Sequence, residues 1–224
     1  MISYMANNLS SILKAKFLNE LLKLINSDHQ LRNVRVKVEP GAEIANCYYN
    51  VSDKVKRDGG NSIYGWAIWC DQYICESEMH AVWESPTGEL IDITPRPNHS
   101  TEIQFVQVDG FIYSGKPVDN IRLNMTENEV VDDWINVCKG IEMIYRNGRR
   151  IDEDRVAIAE NITPLLTFLE SIKPAFEPYL NSGGAAPKAC FCGRPLSYNN
   201  CHGADFRKNL FPALKRLESL ANNS

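Results

Sequence analysis

The 224-residue sequence lacks any apolar run that approaches the ~20 residues needed to span a bilayer. It also lacks a strong excess of charge, because its formal net charge of −4 gives no electrostatic reason to bind nucleic acid or an anionic membrane. Its first residues, MISYMANNLS, lack a basic segment followed by an apolar core, so we expect no secretory signal. These absences argue against a membrane partner and against nucleic acid as a partner.

The sequence also lacks the cysteine pattern of a secreted disulfide framework. Its seven cysteines are odd in number and unevenly spread. We therefore expect a reducing, cytoplasmic location, with Cys70 and Cys75 as buried strand thiols and Cys138 as a core thiol. An apolar content of 44% and a charged content of 23% are typical of a globular protein with one substantial domain and a small module.

Three residues carry the groups of a nucleophilic thiol site: Cys47 in GAEIANCYYNV, His80 in EMHAVW and Asp92 in LIDITP. In such a site the thiolate attacks a carbonyl, the imidazole accepts and returns a proton, and the carboxylate fixes the imidazole tautomer. The alternative is structural. In that case Cys47 is a small buried apolar residue, His80 a hydrogen-bonded strand residue and Asp92 a turn cap.

The spacing of the histidine and the aspartate predicts a β-hairpin. The segments MHAVW and ELIDIT are rich in β-branched and aromatic residues, and the Ser-Pro-Thr-Gly sequence between them predicts a turn. If Glu84 pairs with Gly88, His80 lies directly opposite Asp92 on the same face, with Cβ atoms roughly 5 Å apart. A one-residue bulge would break this register.

The cysteine lies near the start of a predicted helix. Ile44, Tyr48, Val51 and Val55 fall at helical spacing around it, and a Pro-Gly pair precedes them. A thiol in the first turn lies at the positive end of the helix dipole, which stabilises a thiolate. We expect the backbone N–H of Cys47 and the side chain of Asn46 to stabilise the oxyanion that forms when the thiolate attacks.

The segment HAVWESPTGELIDITP resembles the His-to-Asp segment of transglutaminase-like proteins. With a cysteine at a helix start, the resemblance covers residues 41–95 and extends to the wider papain-like group. It implies an α+β fold in which helices pack on a mainly antiparallel sheet, with Cys47, His80 and Asp92 as a catalytic triad. The implied activity is that of a cysteine hydrolase or acyltransferase, which acts on a protein or peptide amide.

The order of elements predicts three regions. Residues 1–125 hold an N-terminal helix at 9–26, the cysteine helix and about six strands, most of them antiparallel because their connections are short. Val34, Val36 and Val38 are expected to face inward on the first strand, and residues 102–124 predict two or three further strands.

Residues 126–181 predict a helical support region. Thr126 and Glu129 form the pattern of a capping box, and a second helix is predicted from Asp152 to Tyr179, broken or kinked by its prolines. The composition of residues 181–186 predicts a flexible linker, so residues 182–224 form a separate linker and tail.

The tail segment KACFCGRPLSYNNCHG holds three cysteines and a histidine: Cys190, Cys192, Cys201 and His202. Three thiolates and one imidazole complete the tetrahedral shell of a structural Zn²⁺ ion, and Gly193 is expected to adopt positive φ in the turn between the first ligands. Because the shell is full, no position remains for water or substrate.

This tail resembles the SEC-C motif, a small zinc-binding module. The positions that match are Cys190, Cys192, Gly193, Tyr198, Cys201, His202 and Gly203. The resemblance implies a docking site for a protein partner. A second interpretation of the whole chain is therefore a non-enzymatic adaptor, in which the transglutaminase-like core is inactive and the zinc module binds a partner. A third, nucleic-acid binding through the tail, is disfavoured by the acidic charge balance.

Overall fold

The structure, a computed structural model, describes residues 2–97, 99–152 and 155–221, with side chains from Ser11 to Ser219 within those ranges. The chain forms two compact units, Met1–Met125 and Thr126–Ser224. The sequence predicts residues 126–181 and 182–224 as separate regions, whereas both belong to the second unit. The α+β class predicted for the chain is confirmed by its helices and by the sheet of the first unit.

Six strands form the sheet of the first unit within the described residues. Their bounds are β1 Arg32–Val36, β2 Asn61–Cys70, β3 Ile74–Glu84, β4 Leu90–Asp92, β5 Glu102–Gln107 and β6 Ile121–Asn124. Every pairing is antiparallel except that of β1 with β4. The prediction of a mainly antiparallel sheet is therefore confirmed.

The sheet closes on itself. Strand β2 pairs with β3 on one side and with β5 on the other, so that β2, β5, β1, β4 and β3 form a ring, and β6 extends β3. Val34, Val82 and Phe105 pack together in its interior. Gly65 is required here, because a Cβ at this position would lie 2.2 Å from the carbonyl oxygen of Val106. His80 faces Gly65 across the β2–β3 pair.

Two helices cover the outer face of the ring. Helix α1 (Ile2–Ile25) packs its Leu21 against Trp66, Ile68 and Met79 of the sheet. Helix α2 (Cys47–Asp58) packs its Val51 against Ala81 of β3 and Ile91 of β4. Burial of these apolar side chains on a single stripe of each helix stabilises the unit.

Of the two or three strands predicted for residues 102–124, two form. Residues 110–120 are described throughout and form no strand, because two glycines with positive φ turn the chain there. Two other predictions for the first unit are wrong. Val38 is 51% exposed instead of facing inward, because β1 ends at Val36. Cys70 and Cys75 are joined in a disulfide across the end of the β2–β3 hairpin and are not separate thiols.

The second unit is mainly helical. Its elements are α3 Glu129–Asn147, the short β7 Arg149–Arg150 and β8 Val156–Ala157, then α4 Thr163–Ile172, α5 Phe176–Asn181, α6 His202–Asp205 and α7 Phe211–Ala221. Its core is aromatic: the ring of Phe176 packs near those of Trp134 and Phe206. Among the described residues, no helix has the length and apolarity needed to cross a membrane.

The helix boundaries of this unit differ from the predicted ones. Helix α3 is capped by Asn128, whose Oδ1 accepts a hydrogen bond from the backbone N–H of Val130, and not by Thr126. The helix predicted from Asp152 begins only at Thr163, where Pro164 occupies a first-turn position that tolerates it. The predicted linker is held in place: Gly184 N–H donates to the carbonyl of Tyr179.

Candidate functional site

The β3–β4 pairing brings the predicted histidine and aspartate together. The imidazole Nε2 of His80 lies 3.0 Å from Asp92 Oδ1, and both side chains are buried. The predicted register is wrong by two residues, because Glu84 pairs with Leu90 and the connecting loop is longer than expected. A shift of two preserves the face on which each side chain lies, so the pair forms despite the error.

Three donors converge on the carboxylate of Asp92. Its Oδ1 accepts hydrogen bonds from His80 Nε2 and from the backbone N–H of Thr94, 3.1 Å away. Its Oδ2 accepts a hydrogen bond from Nε of Arg96 at 2.9 Å. Burial raises the pKa of Asp92, but His80, Arg96 and the Thr94 N–H together hold it below its usual value. The carboxylate therefore stays ionised although its side chain is fully buried.

The cysteine lies where β3 and β4 separate. The two strands pair only at Trp83–Ile91 and Glu84–Leu90, and beyond that point Cys47 packs against Ala81 and Ile93. The next residue, Tyr48, donates a hydrogen bond from its hydroxyl to the carbonyl of Met79. Cys47 is the first residue of α2, so its thiol lies at the positive end of that helix, as the sequence predicts.

His80 interacts with both of its predicted partners. Because its Nε2 is engaged with Asp92, Nδ1 is the nitrogen that remains for the thiol of Cys47. Burial lowers the pKa of the imidazole. The charge of Cys47 and the hydrogen bonds with Asp92 and Cys47 outweigh that effect and raise the pKa to about 9. The environment of His80 therefore favours the protonated imidazole at neutral pH.

Sequence reasoning missed Asn50, which holds the loop that leads into the cysteine. Its side chain accepts from the backbone N–H of Glu43 and donates to the carbonyl of the same residue. It also donates to Thr94 Oγ1, 3.2 Å away. An asparagine one turn into a helix carries no distinctive sequence signal. Asn46, the predicted oxyanion donor, precedes α2 and is half-buried, and its side chain makes no capping hydrogen bond to the helix.

Aromatic rings pack around Tyr48, the residue that follows the cysteine. The ring of Tyr48 stacks on that of Tyr113, with centroids 3.9 Å apart, and also packs near Tyr64 and Phe111. Trp66 is part of the core. Cys47 itself is only 5% exposed.

The second cluster lies in the second unit. The ligand atoms of Cys190, Cys192, Cys201 and His202 all lie within 4.8 Å of one another. The Sγ atoms of Cys192 and Cys201 are 3.6 Å apart, and His202 Nδ1 is 3.1 Å from Cys190 Sγ. A tetrahedral zinc ion bound by three sulfurs and one nitrogen spaces its ligand atoms about 3.5–3.8 Å apart. The donor set and its spacing therefore fit a metal ion.

Local structure points these ligands at one centre. Gly193 has φ 79°, as predicted, and turns the chain directly after Cys192. Burial lowers the pKa of His202, which keeps its imidazole in the neutral form that a metal requires. The ring of Phe191 stacks on that of His202, with centroids 4.6 Å apart, and covers one side of the cluster.

A buried tyrosine connects the segment between the ligands to α3. Tyr198 is fully buried, and its hydroxyl donates to Asp133 Oδ2 at 2.9 Å. Gly203, next to the last ligand, has to be small, because a Cβ there would lie 2.8 Å from the Tyr198 ring. Arg207 also donates to Asp133, at 3.2 Å, and so the carboxylate of α3 has two partners in the tail.

Comparisons of the chain with protein-family models, with curated proteins and with solved structures give no match. The interpretation of both clusters therefore rests on their geometry and chemistry.

Proposed function

We propose that the chain is a cysteine enzyme in which Cys47, His80 and Asp92 form a catalytic triad that acts on an amide. The observation that supports this most strongly is the buried row of thiol, imidazole and carboxylate, in which His80 interacts with both neighbours. Asp92 fixes the tautomer, Nδ1 exchanges the proton, and the thiolate attacks.

The reaction follows from these positions. The sulfur of Cys47 bonds to the amide carbon, and the carbonyl electrons move to the oxygen, which the backbone N–H of Cys47 stabilises with the side chain of Asn46. N–H groups in the first turn of a helix have no intrahelical partner, so this donor faces outward. The C–N bond then breaks as His80 protonates the leaving amine. Water or a second amine, deprotonated by His80, cleaves the resulting thioester and regenerates the thiol.

In this proposal the tail binds a structural zinc ion through Cys190, Cys192, Cys201 and His202 and serves as a docking module for a protein partner. Zinc stabilises such a module because its binding free energy is gained only in the folded state. Five of the seven cysteines are free, which favours a reducing cytoplasm, whereas the Cys70–Cys75 disulfide favours an oxidising compartment.

Alkylation tests the triad with a matched control inside the chain. Cys47 and Cys138 are both 5% exposed, so accessibility alone predicts equal rates. With iodoacetamide at pH 6.5, read residue by residue by mass spectrometry, we expect Cys47 to react at least about tenfold faster than Cys138. His80→Ala should remove most of that difference. Equal rates in the unsubstituted protein would contradict an activated nucleophile.

The burial of Cys47 favours a second candidate, an inactive adaptor that binds its partner through the tail. A buried thiol cannot reach a bulky substrate unless a neighbouring segment moves. Equal alkylation of Cys47 and Cys138, combined with bound zinc, would favour this candidate over the enzyme.

A further inference from the structure

A separate cavity of about 250 Å³ lies in the first unit, between the end of β2 and the start of β5. Trp69 of β2 and Gln104 of β5 form two of its sides. Arg96 and Ser100, from the segment that joins β4 to β5, form another, and Glu102 also lines it. The cavity thus combines an indole ring, a guanidinium and a carboxylate, and none of these side chains belongs to the proposed triad.

Arg96 has one hydrogen-bonding group that the described residues leave unused. Its Nε donates to Asp92 Oδ2, and its Nη1 lies 3.6 Å from Glu78 Oε2. Its Nη2 is buried and has no hydrogen-bond partner among the described residues. Removing a guanidinium N–H from water without an acceptor is costly, so a ligand or solvent oxygen is expected there. A carboxylate is the acceptor that a guanidinium binds best.

The charges around Arg96 limit which carboxylate can bind. Asp92 and Glu78 already share the guanidinium, and Glu102 adds a further negative charge to the lining. A simple anion would be repelled by these groups. A ligand that also carries an ammonium group avoids the repulsion, because Glu102 attracts it and the face of Trp69 can hold a cation.

We propose that this cavity binds a free amino acid as a zwitterion, with its carboxylate on Arg96 and its ammonium group beside Glu102 and Trp69. The volume suits a ligand smaller than those that fill the ~300–1,000 Å³ pockets of drug-sized molecules. The site goes beyond the thiol chemistry proposed above and does not depend on it. The cavity is adjacent to the triad, because Arg96, which lines the cavity, also donates a hydrogen bond to Asp92.

The first experiment measures binding to the intact, unsubstituted protein. The twenty amino acids are tested one at a time by thermal shift, and the affinity of the best is measured by calorimetry. Its N-acetyl derivative lacks the ammonium group and its α-amide lacks the carboxylate. We expect each to bind at least about tenfold more weakly, the loss of one charge-assisted interaction. No binding by any amino acid, or equal binding by either derivative, would overturn the proposal.

Two variants test which residues bind the ligand. Arg96→Met should abolish binding, with circular dichroism as the check that it folds. Glu102→Gln is the safer variant, because Glu102 is exposed and does not touch the triad. It should weaken the amino acid about tenfold and leave the N-acetyl derivative unaffected. Glu89→Gln, which removes an exposed carboxylate paired with Arg35, is the matched control and should change neither. Unchanged amino-acid affinity in Glu102→Gln would overturn the placement of the ammonium group.

Discussion

The tail cluster and the thiol site differ in how the chain assembles them. The tail cluster draws all four ligands from residues 190–202, and one glycine turn and the start of a short helix bring them together. The thiol site draws its residues from positions 47, 80 and 92, which lie on a helix and two strands. The first cluster is therefore encoded locally, whereas the second exists only once the sheet has formed.

This difference affects what each site can tolerate. The tail ligands lie close together because they are close in the sequence. A metal ion bound to them would contribute much of the stability of the tail. The thiol site depends on a strand register, on the gap between β3 and β4, and on the side chains that fix the entry of α2. Substitutions should therefore have large, metal-linked effects in the tail and graded effects around Cys47.

The largest effect is expected from Cys190→Ser, which replaces a buried sulfur of the proposed zinc site with a hydroxyl, a poor zinc ligand. Structural zinc contributes about 10 kcal/mol or more to small zinc-binding modules, so we expect loss of the metal and a lowered thermal transition of the full chain. Elemental analysis and calorimetry measure both.

Asn200→Ser is the control for that substitution, because Asn200 is exposed and lies in the same segment. It should keep one zinc ion per chain and the original transition. A Cys190→Ser protein that also keeps both would show that the cluster is not a metal site.

The next effect is a pH dependence that belongs to the thiol site. The pKa of His80, about 9, lies above its usual 6.5, so the protonated imidazole stabilises the fold. This contribution is complete below about pH 6.5 and is lost as the pH rises through about 9; it amounts to roughly 3 kcal/mol. The free energy of unfolding in urea, measured from pH 6 to 9.5, should fall accordingly.

Two variants assign that fall to the pair. His80→Gln cannot titrate and should remove the step. Cys47→Ser should reduce it, because the charge of Cys47 is the largest of the effects that raise the pKa of His80. An identical pH dependence in all three proteins would contradict the coupling of the thiol and the imidazole.

The sequence predicts the tail cluster better than the thiol site for a physical reason. Ligand spacing and Gly193 are local properties, and their geometry follows from a few backbone angles. The sequence predicts the His80–Asp92 pair although its predicted register is wrong, since the face on which a side chain lies depends only on whether the register shift is even or odd.

Features that depend on loop folding, on register or on distant pairing could not be predicted in the same way. The partnership of Arg96 with Asp92 depends on how the loop after β4 folds back. The contact between Cys70 and Cys75 is close in the sequence but requires the β2–β3 register. Closure of the sheet by the β2–β5 pairing has no local signal. Sequence periodicity identifies strands but does not fix which strands are neighbours.

A moderate effect is expected from Asn50→Ala, which tests whether one side chain fixes the loop that leads into α2. The substitution removes three hydrogen bonds, to Glu43 N–H, Glu43 carbonyl and Thr94 Oγ1. Two of the three are exposed, so at ~0.5–1 kcal/mol each the free energy of unfolding should fall by about 1.5–3 kcal/mol, and Cys47 alkylation should slow several-fold. Asp53→Ala, on the exposed side of the same helix, should change neither. An unaltered alkylation rate in Asn50→Ala would show that the sheet alone positions the thiol.

The smallest effect separates support of the metal cluster from metal binding itself. Tyr198→Phe keeps the buried ring and removes only the hydroxyl that donates to Asp133. Arg207 remains a partner of that carboxylate, so we expect a loss of about 1–2 kcal/mol in the free energy of unfolding, with the zinc content unchanged.

Tyr179→Phe is the matched control, because its hydroxyl donates to the neutral carbonyl of Ala185 and is less buried. A hydrogen bond to a carboxylate is worth more than one to a carbonyl, so the loss in Tyr179→Phe should be the smaller of the two. Equal losses would mean that the carboxylate of Asp133 does not strengthen its hydrogen bond with Tyr198. A loss of zinc in Tyr198→Phe would mean that the tail cluster, like the thiol site, depends on contacts distant in the sequence.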